Sequence, residues 1–192
     1  MHTNIIKLES IDSTNVWARK NLAVLNNFDI VSAEVQTMGH GQFERQWFST
    51  NEDGGNIYIS IVLKPENIEH LNELTRFTAL MVSDVLKKNC NLKPDFKFPN
   101  DILINGKKIC GILAESVFLG SDFKGVVVGV GINLNLSFTD IKKIDIPATS
   151  VFAETGKNID KYAFLDIFTE HFKKHYEDFL VNGITSELSY SK

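Results

Sequence analysis

Lys97-Phe98-Pro99-Asn100-Asp101-Ile102-Leu103-Ile104-Asn105-Gly106-Lys107-Lys108-Ile109-Cys110-Gly111 is the stretch that decides how this chain is read. Residues 95–104 read as a strand carrying Phe96, Phe98, Ile102, Leu103 and Ile104. Asn105-Gly106 is the residue pair of a two-residue type I′ turn, and 107–118 reads as the returning strand. The hairpin gathers Lys97, Asn100, Asp101 and Lys108 on one short rigid element, with Gly111 and Glu115 following. Cations mounted this way suit chemistry that brings one anion against another.

Before the hairpin, Pro65 to about Asn89 reads as a long amphipathic helix with Leu71, Leu74, Thr78, Met81 and Val85 on its apolar stripe. Further upstream, residues 30–37 and Asn56 to Leu63 alternate as half-buried strands do, and Ile5 to Leu8 reads as a short strand. Asp12 and Ser13 offer N-cap side chains for a helix with Ala18, Leu22 and Leu25 on one face. Residues 38–55 mix glycines with polar and aromatic residues and read as a long functional loop.

After the hairpin, Gly120-Ser121 turns into a strand from Lys124 to Asn135. Its run Val126-Val127-Val128-Gly129-Val130-Gly131 implies close backbone approach. A short helix near Ser150–Thr155 and a long one near Asp160–Val181 follow. The long one carries Phe164, Phe168, Phe172, His175 and Phe179 at helical spacing, which reads as core packing. Strands joined by hairpins with helices interspersed predict an α+β domain, with a mixed, largely antiparallel sheet and helices packed on it. A small boundary is expected near 140–150, where lysine and aspartate concentrate.

At 192 residues the chain can bury a substantial core. With 43% hydrophobic and 23% charged residues it has the composition of an ordinary soluble globular protein. A net charge of −4 argues against a dedicated nucleic-acid binder, and the lysines at 87, 88, 93, 97, 107 and 108 read first as a solvated face. Two cysteines are too few for a disulfide framework. There is no signal-peptide pattern and no apolar stretch of membrane-spanning length, so a cytoplasmic location is expected, with no membrane partner. Cys110 has no histidine near it in sequence and reads as a small core residue. His171 and His175 have metal-ligand spacing, but Phe-Lys-Lys between them supplies no base and no third ligand is in view, so no metal ligand is assigned.

The loop Gly39-His40-Gly41-Gln42-Phe43-Glu44-Arg45-Gln46-Trp47 is a candidate anion clamp, because its glycines permit close backbone approach and Arg45 can grip a phosphate bidentately. It is neither a Walker loop nor a dinucleotide fingerprint. Taken together, Ser13-Thr14-Asn15, Gln36, this loop, Lys97 to Asp101, Lys108 to Leu113 with Glu115, and Gly129-Val130-Gly131-Ile132-Asn133 follow the order and approximate spacing of the biotin–protein ligases. The chain resembles that family over about residues 5–180.

The resemblance implies the biotin/lipoate ligase fold, which is like that of class II aminoacyl-tRNA synthetases. Residues 1–182 would form the catalytic domain and 183–192 a short tail, with the C-terminal β-barrel domain absent or truncated. The winged-helix module of repressor-type members does not precede the catalytic region, so DNA binding is not expected. The implied activity forms biotinyl-5′-AMP from biotin and ATP, with Mg²⁺ on the ATP phosphates. Biotin is then transferred to one lysine of a biotin carboxyl carrier protein, by default that of acetyl-CoA carboxylase. A homodimer through sheet edges is compatible with the resemblance, and no residue pattern decides it.

Carried over position by position, Lys108 would bind the biotin carboxylate and the α-phosphate, and Lys97 would sit at the phosphates. Asp101 would orient Lys108 or take a proton from the carrier lysine. Ser13, Thr14, Asn15, Gln36, Gly39, Gly41, Lys108, Gly111, Ile112 and Leu113 would hold biotin. His40, Gln42, Arg45, Trp47, Lys97, Asn100 and Asn133 would hold ATP or the adenylate. One departure stands out. The family loop usually reads Gly-Arg-Gly-Arg, whereas here it is Gly39-His40-Gly41-Gln42, so of the expected cations only Arg45 survives. Two other readings stay open, a lipoate or octanoate–protein ligase and a catalytically weak biotin-binding sensor.

Overall fold

The computed structural model describes residues 4–41, 46–50 and 56–185. Seven strands form one sheet: β1 (Ile5–Ile11), β2 (Ile30–Gln36), β3 (Asn56–Leu63), β4 (Asp95–Lys97), β5 (Asp101–Ile104), β6 (Lys107–Leu119) and β7 (Asp122–Asn133). Their order across the sheet is β1-β2-β3-β7-β6-β5-β4. β1 and β2 are parallel, linked through helix α1 (Thr14–Lys20), and the other neighbours are antiparallel. Helices α2 (Leu74–Cys90) and α5 (Lys161–Asn182) cover one face; α1 covers part of the other. The short helices α3 (Phe138–Ile141) and α4 (Val151–Thr155) lie between β7 and α5.

The two-residue pleat sorts β3 into two layers. Ile57, Ile59, Ile61 and Leu63 enter the large core with Phe77, Phe168, Phe172, Tyr176 and Phe179. Val62 joins Ala18, Leu22, Leu25, Val31 and Val127 beneath α1. Phe77 stacks on Phe179 at 4.3 Å and meets Phe172 edge-on at 5.1 Å. Each such ring contributes roughly 2–3 kcal/mol on burial. The helix ends follow local chemistry. Asp160 accepts from the N–H groups of Tyr162 and Ala163 to start α5, and Ser150 accepts from Ala153 N–H to start α4. Gly156 closes α4 with φ of 72°.

Several expectations need correction. The strand predicted over 95–104 is two strands, folded back on each other so that Lys97 pairs with Asp101. Pro99 follows a cis Phe98–Pro99 peptide and has no N–H to continue a ladder, so 98–100 forms a turn. The helix expected from Pro65 begins only at Leu74, after a single 3₁₀ turn over Leu71–Glu73. Leu22 and Leu25 are buried but lie beyond the end of α1. Neither β2 nor β3 is half-buried throughout, since Ile30 to Ala33 and every residue of β3 are covered on both faces. On α5, Tyr176 rather than His175 completes the buried stripe. Residues 140–150 are no boundary. Lys108 N–H donates to Pro147 O at 2.8 Å and Thr149 N–H to Lys108 O at 2.9 Å, which ties this segment to β6. Asn105 and Gly106, at φ of 51° and 75°, make the expected I′-type turn.

Candidate active site

The charged end of the site is made by a β-bulge. Lys108 pairs with Leu103 and Cys110 with Ile102, so the register between β5 and β6 slips by one residue around Ile109. In a regular strand Lys108 and Gly111 would face opposite sides. The extra residue sends both Ile109 and Cys110 into the core and turns Lys108 to the face that Gly111 and Asp101 share. There Lys108 Nζ lies 2.7 Å from Asp101 Oδ1, with both side chains about four-fifths buried. Lys97 stands opposite Asp101 in the ladder and is exposed. Asn100 locks the turn by donating to Ile112 O at 3.1 Å while its own carbonyl accepts from Ile112 N–H at 3.0 Å.

The floor is a row of cross-strand partners: Tyr58, Gly131, Gly111 and Asp101. The two central glycines admit Trp47. A Cβ on Gly131 would stand 2.5 Å from its Cε2, and one on Gly111 would stand 2.6 Å from its Cζ3. The indole therefore lies on the sheet, with Lys108 Nζ 5.1 Å from its ring. The base of the preceding loop is pinned by Trp47 N–H donating to Gly39 O at 2.8 Å and by pairing of His40 with Gln46. Gly41 follows this base, and Gln42 and Arg45 lie outside the described residues.

The opposite corner is polar, neutral and buried. Ser13, Thr14, Asn15 and Ser60 are each at most 5% exposed. Gln36 Oε1 accepts from Thr14 N–H at 2.8 Å, and Ser60 Oγ reaches Thr14 Oγ1 at 2.8 Å and Asn15 Oδ1 at 2.5 Å. Gly129, the partner of Ser60, is needed here because a Cβ would stand 2.5 Å from Asn15 Oδ1. From Ser60 to Gly111 is two strand spacings and two residues, roughly 12 Å.

A brace behind the hairpin sets the position of Lys108. Glu154 accepts from Lys107 Nζ at 2.5 Å, Thr149 Oγ1 at 2.6 Å and Asn105 Nδ2 at 3.0 Å. Burial alone would raise the Glu154 pKa, but these three donors hold it below the usual carboxylate value. Asn133 Nδ2 donates to Thr149 O at 2.9 Å, so this amide belongs to the brace as well as facing the site.

Sequence reading named most of these residues but missed Tyr58, Ser60, Thr149 and Glu154. The small hydroxyl of Ser60 between Ile59 and Ile61 was the available signal for it. Ile112 points its side chain into the large core, so only its backbone reaches the site. Burial raises the Cys110 thiol pKa strongly, in keeping with a core residue. His171 sits 3.3 Å from Asp84 and against His175, and among the described residues no three His, Cys, Asp or Glu side chains converge on a metal position. No described helix is long and apolar enough to cross a membrane.

A model of the biotin/lipoate A/B protein ligase family matches residues 7–133. The chain belongs to this family. Among the ligases related to it, the biotin–[acetyl-CoA-carboxylase] ligase of Paracoccus denitrificans is 34% identical over 173 residues, covering 87% of this chain and 70% of that protein. The bifunctional ligase/repressor BirA of Bacillus subtilis is 33% identical over 158 residues, 81% of this chain and 48% of its own length. This chain thus spans about half of the Bacillus ligases it matches. The biotin protein ligase of Aquifex aeolicus, solved in complex with biotin and ATP, superposes with a TM-score of 0.80 at 28% identity, covering 96% of this chain and 76% of that one. The family's mixed, mostly antiparallel sheet with packed helices is the architecture found here.

Proposed function

We propose that this chain is the catalytic domain of a biotin–protein ligase, forming biotinyl-5′-AMP and passing biotin to a lysine of a biotin carboxyl carrier protein. The observation that carries this reading is the division of the site into a neutral polar corner and a cationic end across a glycine floor. Biotin has the matching division: a ureido ring with two N–H groups and a carbonyl, then an apolar chain ending in a carboxylate. Thr14 and Gln36 take the ring, the Trp47 indole lying on the glycine floor packs against the apolar body, and Lys108 takes the carboxylate.

In the first step a carboxylate oxygen attacks the α-phosphorus of ATP and pyrophosphate leaves. Two anions must meet, so the Lys108 ammonium lowers the barrier by sitting between them, and Lys97 adds charge at the phosphates. Mg²⁺ bound to those phosphates would supply the remaining neutralisation. In the second step the carrier amine attacks the acyl carbon, AMP leaves and Asp101 receives the amine proton. With His40 and Gln42 in place of the arginines that the resemblance leads one to expect, the adenylate is held chiefly by Arg45 and Trp47.

The test is incubation with ATP, Mg²⁺, biotin and an isolated carrier domain, followed by mass spectrometry of the carrier. One biotinyl addition on a single lysine is expected, with none when lipoate or octanoate replaces biotin. Lipoylation or octanoylation in place of biotinylation would move the protein to the lipoate branch. Biotin binding with neither adenylate nor transfer would make it a sensor.

A further inference from the structure

We infer that Asn15 is a positioning residue that does not touch the ligand: acting through the Ser60 hydroxyl, it fixes the direction of hydrogen-bond donation in the polar corner and leaves Thr14 Oγ1 and Gln36 Oε1 as an acceptor pair for a ligand N–H. The inference rests on the ligase reading above, in which the ureido ring supplies that N–H.

The direction follows from counting hydrogens. Asn15 Nδ2 lies 3.1 Å from Leu113 O and 2.8 Å from Glu115 Oε2. A carbonyl and an ionised carboxylate only accept, so both amide hydrogens are committed there and Oδ1 faces Ser60. Arg19 holds Glu115 from the solvent side at 2.5 Å, which fixes the outer anchor. Oδ1 carries no hydrogen, so Ser60 gives its only one to Asn15 across 2.5 Å. The hydrogen in the 2.8 Å contact between Ser60 and Thr14 must then come from Thr14.

Thr14 now has nothing left to donate to Gln36 Oε1, 3.1 Å away. That oxygen is an acceptor in any case, because Thr14 N–H donates to it. Three oxygen–oxygen contacts share two hydroxyl hydrogens, and the unfilled one is at half-buried Gln36, toward the cleft. Two acceptors facing each other in a buried corner repel, and a ligand N–H placed between them removes the penalty. Without Asn15 the chain reverses: Ser60 donates to Thr14, Thr14 donates to Gln36, and the corner no longer needs a ligand donor.

The experiment is calorimetric titration of the wild-type protein, Asn15→Ala, Ser60→Ala and the double variant with biotin, with ATP as the control ligand. Each single variant should weaken biotin binding about tenfold and leave ATP binding unchanged. The double variant should lose no more than Ser60→Ala alone, since Asn15 acts only through Ser60. Losses that multiply to about a hundredfold would overturn the inference by showing direct contact between Asn15 and the ligand. If Asn15→Ala does not fold, Ser60→Ala decides alone against the two mono-N-methyl ureido analogues of biotin. Preference for biotin over one of them should fall about tenfold, and unchanged preference overturns the inference. A wild-type protein that binds no biotin defeats the ligase reading itself, whereas wild-type binding with multiplying losses defeats only the role of Asn15.

Discussion

Lys108 and Gly111 point to the same face of the sheet although they are three positions apart in sequence, because the bulge at Ile109 absorbs the odd residue. This places the ammonium beside Asp101 and at the edge of the glycine floor. The cationic end of the site is therefore a property of one backbone irregularity, held from behind by Pro147 and Thr149.

Replacing that ammonium should separate chemistry from folding. Lys108→Met keeps the length of the stem and removes the charge, so biotin-dependent pyrophosphate–ATP exchange should fall by about 10²–10³ in kcat. Far-UV circular dichroism should be unchanged.

Gly131→Ala should displace Trp47, since the new methyl would stand 2.5 Å from the ring. Forcing a side chain into such a contact costs about 1–3 kcal/mol. Tryptophan emission should shift in the ligand-free protein, and biotin should bind at least tenfold more weakly by titration calorimetry.

Glu154 makes the brace acid-sensitive. Its folded pKa lies below its unfolded value, because donors from Lys107, Thr149 and Asn105 outweigh burial. The stabilisation is therefore fully present above the unfolded pKa and is lost as pH falls through the folded one. Below about pH 5 the wild-type midpoint in urea should decline more steeply than that of Glu154→Gln, which cannot titrate. Parallel declines would contradict the role assigned to the brace.

Phe77 sits at 0% exposure between Phe172 and Phe179. Phe77→Ala should cost about 3–5 kcal/mol and lower Tm by roughly 10 °C, read by differential scanning calorimetry.

The loop carrying His40 and Gln42 is expected to hold the adenylate loosely. The double variant His40→Arg/Gln42→Arg introduces an arginine pair into this loop and should slow adenylate release by about tenfold or more, measured by filter binding. Equal release rates would show that the pair is not what retains the intermediate.

The hairpin and the glycine run of β7 were legible because each depends on local rules, turn residues and side-chain period; α1 does start after Ser13, but the expected side-chain cap is not made there, and Gln36 Oε1 takes the Thr14 N–H instead. The bulge was not, since a one-residue slip leaves no mark in the pattern Lys-Ile-Cys-Gly. The turn at Pro99 was visible as a proline, yet the apolar residues on both sides masked it as a single strand. Ser60 and Glu154 act through partners 45 to 49 residues away, Asn15 and Thr14 for the first and Asn105 and Lys107 for the second. Only the folded sheet brings those groups together.

The central claim is that the polar corner and Lys108 hold one biotin molecule poised for attack on ATP. Pyrophosphate–ATP exchange, with biotin, lipoate and octanoate supplied separately, tests it most directly. Exchange driven by biotin alone, and lost in Lys108→Met, is the predicted result. Exchange driven by lipoate or octanoate, or biotin binding without any exchange, would contradict it.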